Sequence, residues 1–126
     1  MSITGLDILV VEDEPVIALA LEDLLIDGGA LPTYASTLGQ AADLLETHTP
    51  DAAILDVNVH GQTSYELAAN LRERAVPFVF ATGYGAATHP AEFAEVPTIA
   101  KPYNLGEIER AIAQARVAGH SVKGCH

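Results

Sequence analysis

Four short apolar runs in this chain each end in polar residues: Asp7-Ile-Leu-Val-Val-Glu12-Asp13, Ala52-Ala-Ile-Leu-Asp56, Phe78-Val-Phe-Ala-Thr82 and Thr98-Ile-Ala-Lys101-Pro102. Continuous runs rich in Val, Ile and Leu are what a strand needs when both of its faces are covered, as in a parallel sheet between helices. In an open parallel sheet the carboxyl ends of the strands share one edge. Polar groups far apart in sequence then gather in one crevice. Glu12, Asp13 and Asp56, the hydroxyl of Thr82 and the ammonium of Lys101 are the groups so gathered.

The segments between the runs carry helical period. Pro15 opens a helix with Ile17, Leu21, Leu24 and Leu25 on one face, and Gly28-Gly29 stops it. Leu31 to Ala35 reads as a short second strand. Thr37-Leu-Gly-Gln40 has capping-box spacing ahead of Leu38, Ala41, Ala42 and Leu45, in a helix that ends near His48 to Pro50. After Asp56 comes a loop holding Gly61, and Thr63-Ser-Tyr-Glu66 reads as a second capping box for a helix to about Arg74. Asn104 caps a last helix whose inner face is Ile108, Ala111, Ile112 and Ala115. Between the Phe78 and Thr98 runs, Gly83, Gly85, Pro90 and Pro97 leave only Ala91 to Glu95 for a helix, so this segment is expected to be short or mobile. The alternation predicts an α/β fold, a mostly parallel sheet with helices on both faces.

At 126 residues the chain is large enough to bury a core without disulfides, and one domain is expected over residues 1–126, with its core at about 6–118 and a flexible tail at 119–126. No apolar stretch is long enough to span a bilayer and the first residues lack a basic leader, so a soluble, cytoplasmic protein is expected. The lone Cys125 has no internal partner, in keeping with a reducing compartment. Seventeen acids against six bases give a formal charge of -11, the wrong sign for neutralising phosphates along a duplex. Direct nucleic-acid binding is therefore not expected. The five histidines do not recur at metal-ligand spacing and read as structural, with His60 singled out by its nearness to Asp56.

Three acids, a hydroxyl and an ammonium at one sheet edge suit reversible aspartyl phosphorylation assisted by a divalent metal. Together Val11-Glu-Asp-Glu-Pro15, Ile54-Leu-Asp-Val-Asn58, Ala81-Thr-Gly83 and Lys101-Pro102 resemble the receiver domain of two-component response regulators, over residues 6 to about 118. Phe80-Ala-Thr-Gly-Tyr-Gly85 is similar to the signature of the FAT-GUY class, many of which stand alone without an output domain. The resemblance implies a flavodoxin-like, doubly wound (βα)5 sheet of five parallel strands. It also implies Asp56 as phosphoryl acceptor, and Mg2+ held by Asp13, Asp56, the main-chain carbonyl of Asn58 and, directly or through water, Glu12. Thr82 and Lys101 would bind phosphoryl oxygens and act in the switch, and the Lys101-Pro102 bond is a cis-proline candidate. A sensor histidine kinase or a phosphotransfer protein would be the donor, with an unknown protein downstream. Clustered carboxylates repel one another, so at least one pKa should rise and metal should stabilise the fold.

One departure bears on the switch. Most receivers carry Tyr or Phe three residues before the lysine, where this chain has Thr98. The likeness to the FAT-GUY class points instead to Gly83-Tyr84-Gly85 as the reorganising loop, with Tyr84 either the moving aromatic or packed over the sheet edge. Asn58 and Tyr84 flank the expected path of water to the acyl phosphate. The alternative is a haloacid-dehalogenase-like phosphatase, which also forms an aspartyl phosphate. That chemistry uses a second aspartate two residues after the nucleophile, where this chain has Asn58, and 126 residues leave no room for a substrate-covering cap.

Overall fold

The computed structural model describes residues 2–82, 90–100 and 102–124. The elements run β1 (Asp7–Val11), α1 (Pro15–Asp27), β2 (Leu31–Ala35), α2 (Leu38–Thr47), β3 (Ala52–Asp56), β4 (Asn58–Val59), β5 (Gln62–Thr63), α3 (Tyr65–Glu73), β6 (Phe78–Thr82), a 3-10 turn (Ala91–Phe93), β7 (Thr98–Ala100) and α4 (Leu105–Gly124). Five strands form one parallel sheet in the order β2-β1-β3-β6-β7. This is the parallel sheet that the apolar runs predict, in the flavodoxin-like, doubly wound order that the resemblance implies.

Successive strand residues point to opposite faces. Ile8, Val10, Ile54, Val79 and Ile99 pack with Leu21 and Leu25 of α1 and Ile108 and Ile112 of α4. On the other face Leu9, Val11, Leu55, Phe78 and Phe80 pack with Ala41 and Leu45 of α2, Leu67 and Leu71 of α3, and Phe93. The three inner strands, β1, β3 and β6, are covered on both sides, which is why their runs are apolar throughout rather than alternating, while the edge strands β2 and β7 keep exposed positions at Leu31, Thr98 and Ala100.

The helix ends follow the sequence closely in some places and depart from it in others. Pro15 stands in the first turn of α1, Gly28 caps its end, and Gly29 takes φ +86, a left-handed conformation that glycine adopts without steric cost. Its buried face is Ala18, Leu21 and Leu25; Leu21 and Leu25 are buried as expected, whereas Ile17 and Leu24 are only half-buried and Ala18 joins the face instead. Thr37 caps α2 as predicted, accepting from Gln40 N at 3.0 Å, while Gln40 Oε1 accepts from Ser36 N at 2.8 Å. Asn104 Oδ1 accepts from Glu107 N at 2.9 Å at the start of α4.

The second predicted capping box does not form. Thr63 belongs to β5, and the residue at the N-cap of α3 is Ser64, whose side chain makes no cap bond. Residues 58–63, expected as a loop, pair into a two-stranded antiparallel hairpin with Asn58 opposite Thr63 and Val59 opposite Gln62. Pairing commits Thr63 to the hairpin and moves the helix start. Of the segment between β6 and β7, the described residues hold a single 3-10 turn, Ala91–Phe93, and the chain re-enters the sheet at Thr98. Arg72 of α3 holds that turn, donating to the Glu92 carbonyl at 2.6 Å and to Glu95 at 2.9 Å, with its guanidinium 4.9 Å from the Phe93 ring centre. The backbone of α4 runs from Leu105 to Gly124. No helix among the described residues is long and apolar enough to cross a membrane.

Candidate phosphoryl-acceptor site

The carboxyl ends of β1 and β3 lie side by side in the middle of the sheet, with Val11 opposite Leu55. The residues that follow, Glu12 and Asp13 on one strand and Asp56 at the tip of the other, therefore meet. Each offers a carboxylate oxygen, and these oxygens all lie within 4.8 Å of one another. Thr82 ends β6, paired with Ala100 on the outermost strand, and is buried. Lys101, Gly83, Tyr84 and Gly85 lie outside the described residues, and with Lys101 goes the cis-proline expectation; Pro102 is exposed.

The three acids do not share one environment. Glu12 is 2% exposed, while Asp13 and Asp56 are half-buried. Burial first, and then the neighbouring Asp56 carboxylate, push Glu12 from its ordinary 4.5 up to about 7. Asp13 is held below its ordinary value, chiefly because His60 N donates to its Oδ2 at 2.9 Å. The rise expected from crowding three carboxylates thus falls on Glu12, the most buried of them.

Main-chain and side-chain bonds fix this edge. Glu14 N donates to Glu12 Oε2 at 3.2 Å, and Asn58 N donates to Asp56 Oδ1 at 3.3 Å. Tyr34, on β2, donates its hydroxyl to the Glu12 carbonyl at 2.8 Å. The sequence carries no sign of that role, because it depends on β2 lying beside β1. Tyr103 packs against the core beneath α1 and α4, and its pKa is raised by burial and by the charges of Glu12 and Asp56. Its hydroxyl is buried without a hydrogen-bond partner among the described residues. Thr98 stands exposed on β7, opposite Phe80. Of the histidines, His48 lies 2.6 Å from Asp7 at the other end of the sheet, in keeping with a structural reading.

A pH dependence follows from Glu12. Its folded value lies above its unfolded one, so its contribution to stability is complete below about 4.5 and is lost as the pH rises through about 7. Asp13 works in the opposite sense, its contribution present above 3.8 and lost as the pH falls. Thermal melts in chelator are expected to show a less stable protein at pH 8 than at pH 5, by up to roughly 3 kcal/mol.

A parallel sheet whose acids collect at the ends of its two central strands defines a doubly wound α/β protein with its chemistry at one edge. The chain belongs to the response regulator receiver domain family, whose model matches residues 8–113. It is 31% identical to the transcriptional regulatory protein TcrA of Mycobacterium tuberculosis, over 84% of this chain and 44% of that protein. Among solved structures it is similar to SdrG from Sphingomonas melonis Fr1, with a TM-score of 0.75 and 38% identity, covering 91% of this chain and 98% of that one. It is also similar to the PhyR stress response regulator, with a TM-score of 0.72 and 28% identity over 88% of this chain and 45% of that one. The chain thus spans less than half the length of TcrA and of PhyR. It is a receiver domain of the two-component kind, and none of these relatives bears a phosphatase name.

Proposed function

We propose that residues 1–126 act as one receiver unit that accepts a phosphoryl group on Asp56 from the phosphohistidine of a sensor kinase or phosphotransfer protein, with Mg2+ held by Glu12, Asp13, Asp56 and the Asn58 main-chain carbonyl. The observation that carries this reading is the meeting of three carboxylate oxygens within 4.8 Å at the tips of adjacent strands. An all-oxygen donor set suits a small, hard cation that keeps several waters. Bound there, the ion supplies the positive charge that lets one anion approach another.

Asp56 is the acceptor because it stands at the strand tip, half-buried, with one oxygen oriented by the Asn58 N–H. As its other oxygen bonds to phosphorus, the P–N bond to the donor imidazole breaks and the imidazole leaves with its electron pair. Thr82 and Lys101 donate to phosphoryl oxygens as charge moves onto them. The loop Gly83-Tyr84-Gly85 and the short turn beyond it then change the face offered to a downstream protein. Apart from its own phosphorylation and dephosphorylation the chain catalyses nothing. Its donor docks a helix pair on α1, where Val16, Leu19 and Ile26 are 80%, 60% and 56% exposed, and on the loop before α4. Exposed apolar side chains on a single helix fit a helical partner better than a duplex, which the formal charge of -11 also disfavours.

The test is intact mass after incubation with a small acyl-phosphate donor, with Mg2+ or with chelator. One phosphoryl gain, dependent on metal, is the expected result, and Mg2+ alone should raise the melting temperature at pH 8 by relieving the charge at Glu12. No gain, combined with no NMR response to beryllofluoride, would sink the reading.

A further inference from the structure

The β4–β5 hairpin turns through two residues, His60 at φ +51 and Gly61 at φ +79. Two successive left-handed residues make the tight turn whose twist suits a hairpin, a place where Asn or Gly is usual and histidine is strained. That conformation aims the two ends of His60 at two other loops. Its backbone N donates to Asp13 Oδ2 at 2.9 Å, after β1, and its ring Nε2 lies 3.1 Å from the Ser36 carbonyl, after β2. A carbonyl only accepts, so Nε2 carries the proton in this contact.

The Ser36 end is itself anchored. Ser36 N and Oγ both reach Gln40 Oε1, at 2.8 and 3.2 Å, so the carbonyl that His60 grips belongs to the capped start of α2. The same hairpin begins at Asn58, whose N–H orients Asp56. One short ribbon therefore touches two of the three clustered acids, and the imidazole moors it to a helix end.

We infer that His60 is a positioning residue for the cation: its ring, moored on the Ser36 carbonyl, holds the turn so that its amide presets the Asp13 carboxylate. This rests on the metal reading proposed above. Hydrogen-bond partners behind a metal ligand commonly change affinity about 10- to 100-fold when lost.

The experiment is titration of Mg2+ into the metal-free full chain at pH 8, followed by backbone amide NMR, with thermal melts of each protein alongside. His60→Gly keeps the amide and relieves the left-handed strain while removing the mooring. Its dissociation constant is expected to rise about tenfold, with a melting temperature no lower than the wild type's. His60→Asn, which tolerates the same backbone but falls short of Ser36, should show the same loss and excludes glycine flexibility as its cause. His60→Gln, which restores a side-chain donor, should bind within about threefold of wild type. A His60→Asn constant within about threefold of wild type, or a His60→Gln constant as weak as that of His60→Asn, overturns the inference. No saturable response in the wild type overturns the metal reading itself, and the inference with it.

Discussion

Asp56→Asn is expected to take up no phosphoryl group under conditions in which the wild type takes up one. The amide matches the carboxylate in shape, so the strand tip, the backbone pairing with Ala81 and the oxygen that accepts from Asn58 N all have a counterpart in the variant. What disappears is the anionic nucleophile. The fold should not suffer, because Asp56 is one of the causes that raise Glu12, both through a side-chain hydrogen bond and through its charge. Removing that charge lets Glu12 ionise at lower pH, and the metal-free variant should be at least as stable as the wild type at pH 8. Loss of labelling together with retained or increased stability separates chemistry from folding. Labelling that survives in Asp56→Asn would move the acceptor elsewhere, with Asp13 the next carboxylate to test.

Phe80→Ala is expected to be the most damaging simple truncation in the sheet, at about 3–5 kcal/mol. Phe80 is fully buried on β6 and sits in an aromatic cluster, its ring centre 5.6 Å from Tyr65, 5.6 Å from Phe78 and 5.8 Å from Phe93. These rings come from β6, from α3 and from the 3-10 turn, so the void left by the side chain borders three elements that cannot all close upon it. The cost therefore contains a cavity contribution as well as lost transfer energy. Denaturant melts measure it directly, and a loss below about 1 kcal/mol would show that the cluster relaxes around the gap. Because Phe80 is two residues before Thr82, the variant also tests how far the strand tip depends on the packing beneath it.

The four apolar runs were enough to locate β1, β3, β6 and β7, the inner three because burial on both faces leaves no polar residue inside them, while the edge strand β2, with Thr33 and Tyr34 in it, was legible only as a short segment between two helical patterns. Glu12, Asp13 and Asp56 were legible for the same reason: each comes directly after a run or at its end, and chain order places those ends on one edge. Sequence was a poorer guide where structure depends on two residues. The β4–β5 pair is too short for any period, and its clue was Asn58-Val-His-Gly-Gln-Thr63, two dipeptides around a turn ending in glycine. Once Thr63 pairs with Asn58 it is no longer free to cap α3, so the capping motif there misleads. Tyr34 and Tyr103 were hidden for a different reason: their relation to Glu12 exists only after β1 and β2 are paired and the loop before α4 has folded back.

The strand order has a kinetic side. β1 pairs with β3 across more than forty residues, Ile8 opposite Ala52, with a whole strand and two helices between. Closing such a loop costs entropy before contacts return it, which makes parallel pairing of this kind slow. Glu12 and Asp13 therefore stay apart from Asp56 until the central pair has formed, and their mutual repulsion is absent from the early, collapsing chain. Repulsion that arises so late acts mainly on the native side of the barrier, so it should hasten unfolding far more than it delays folding.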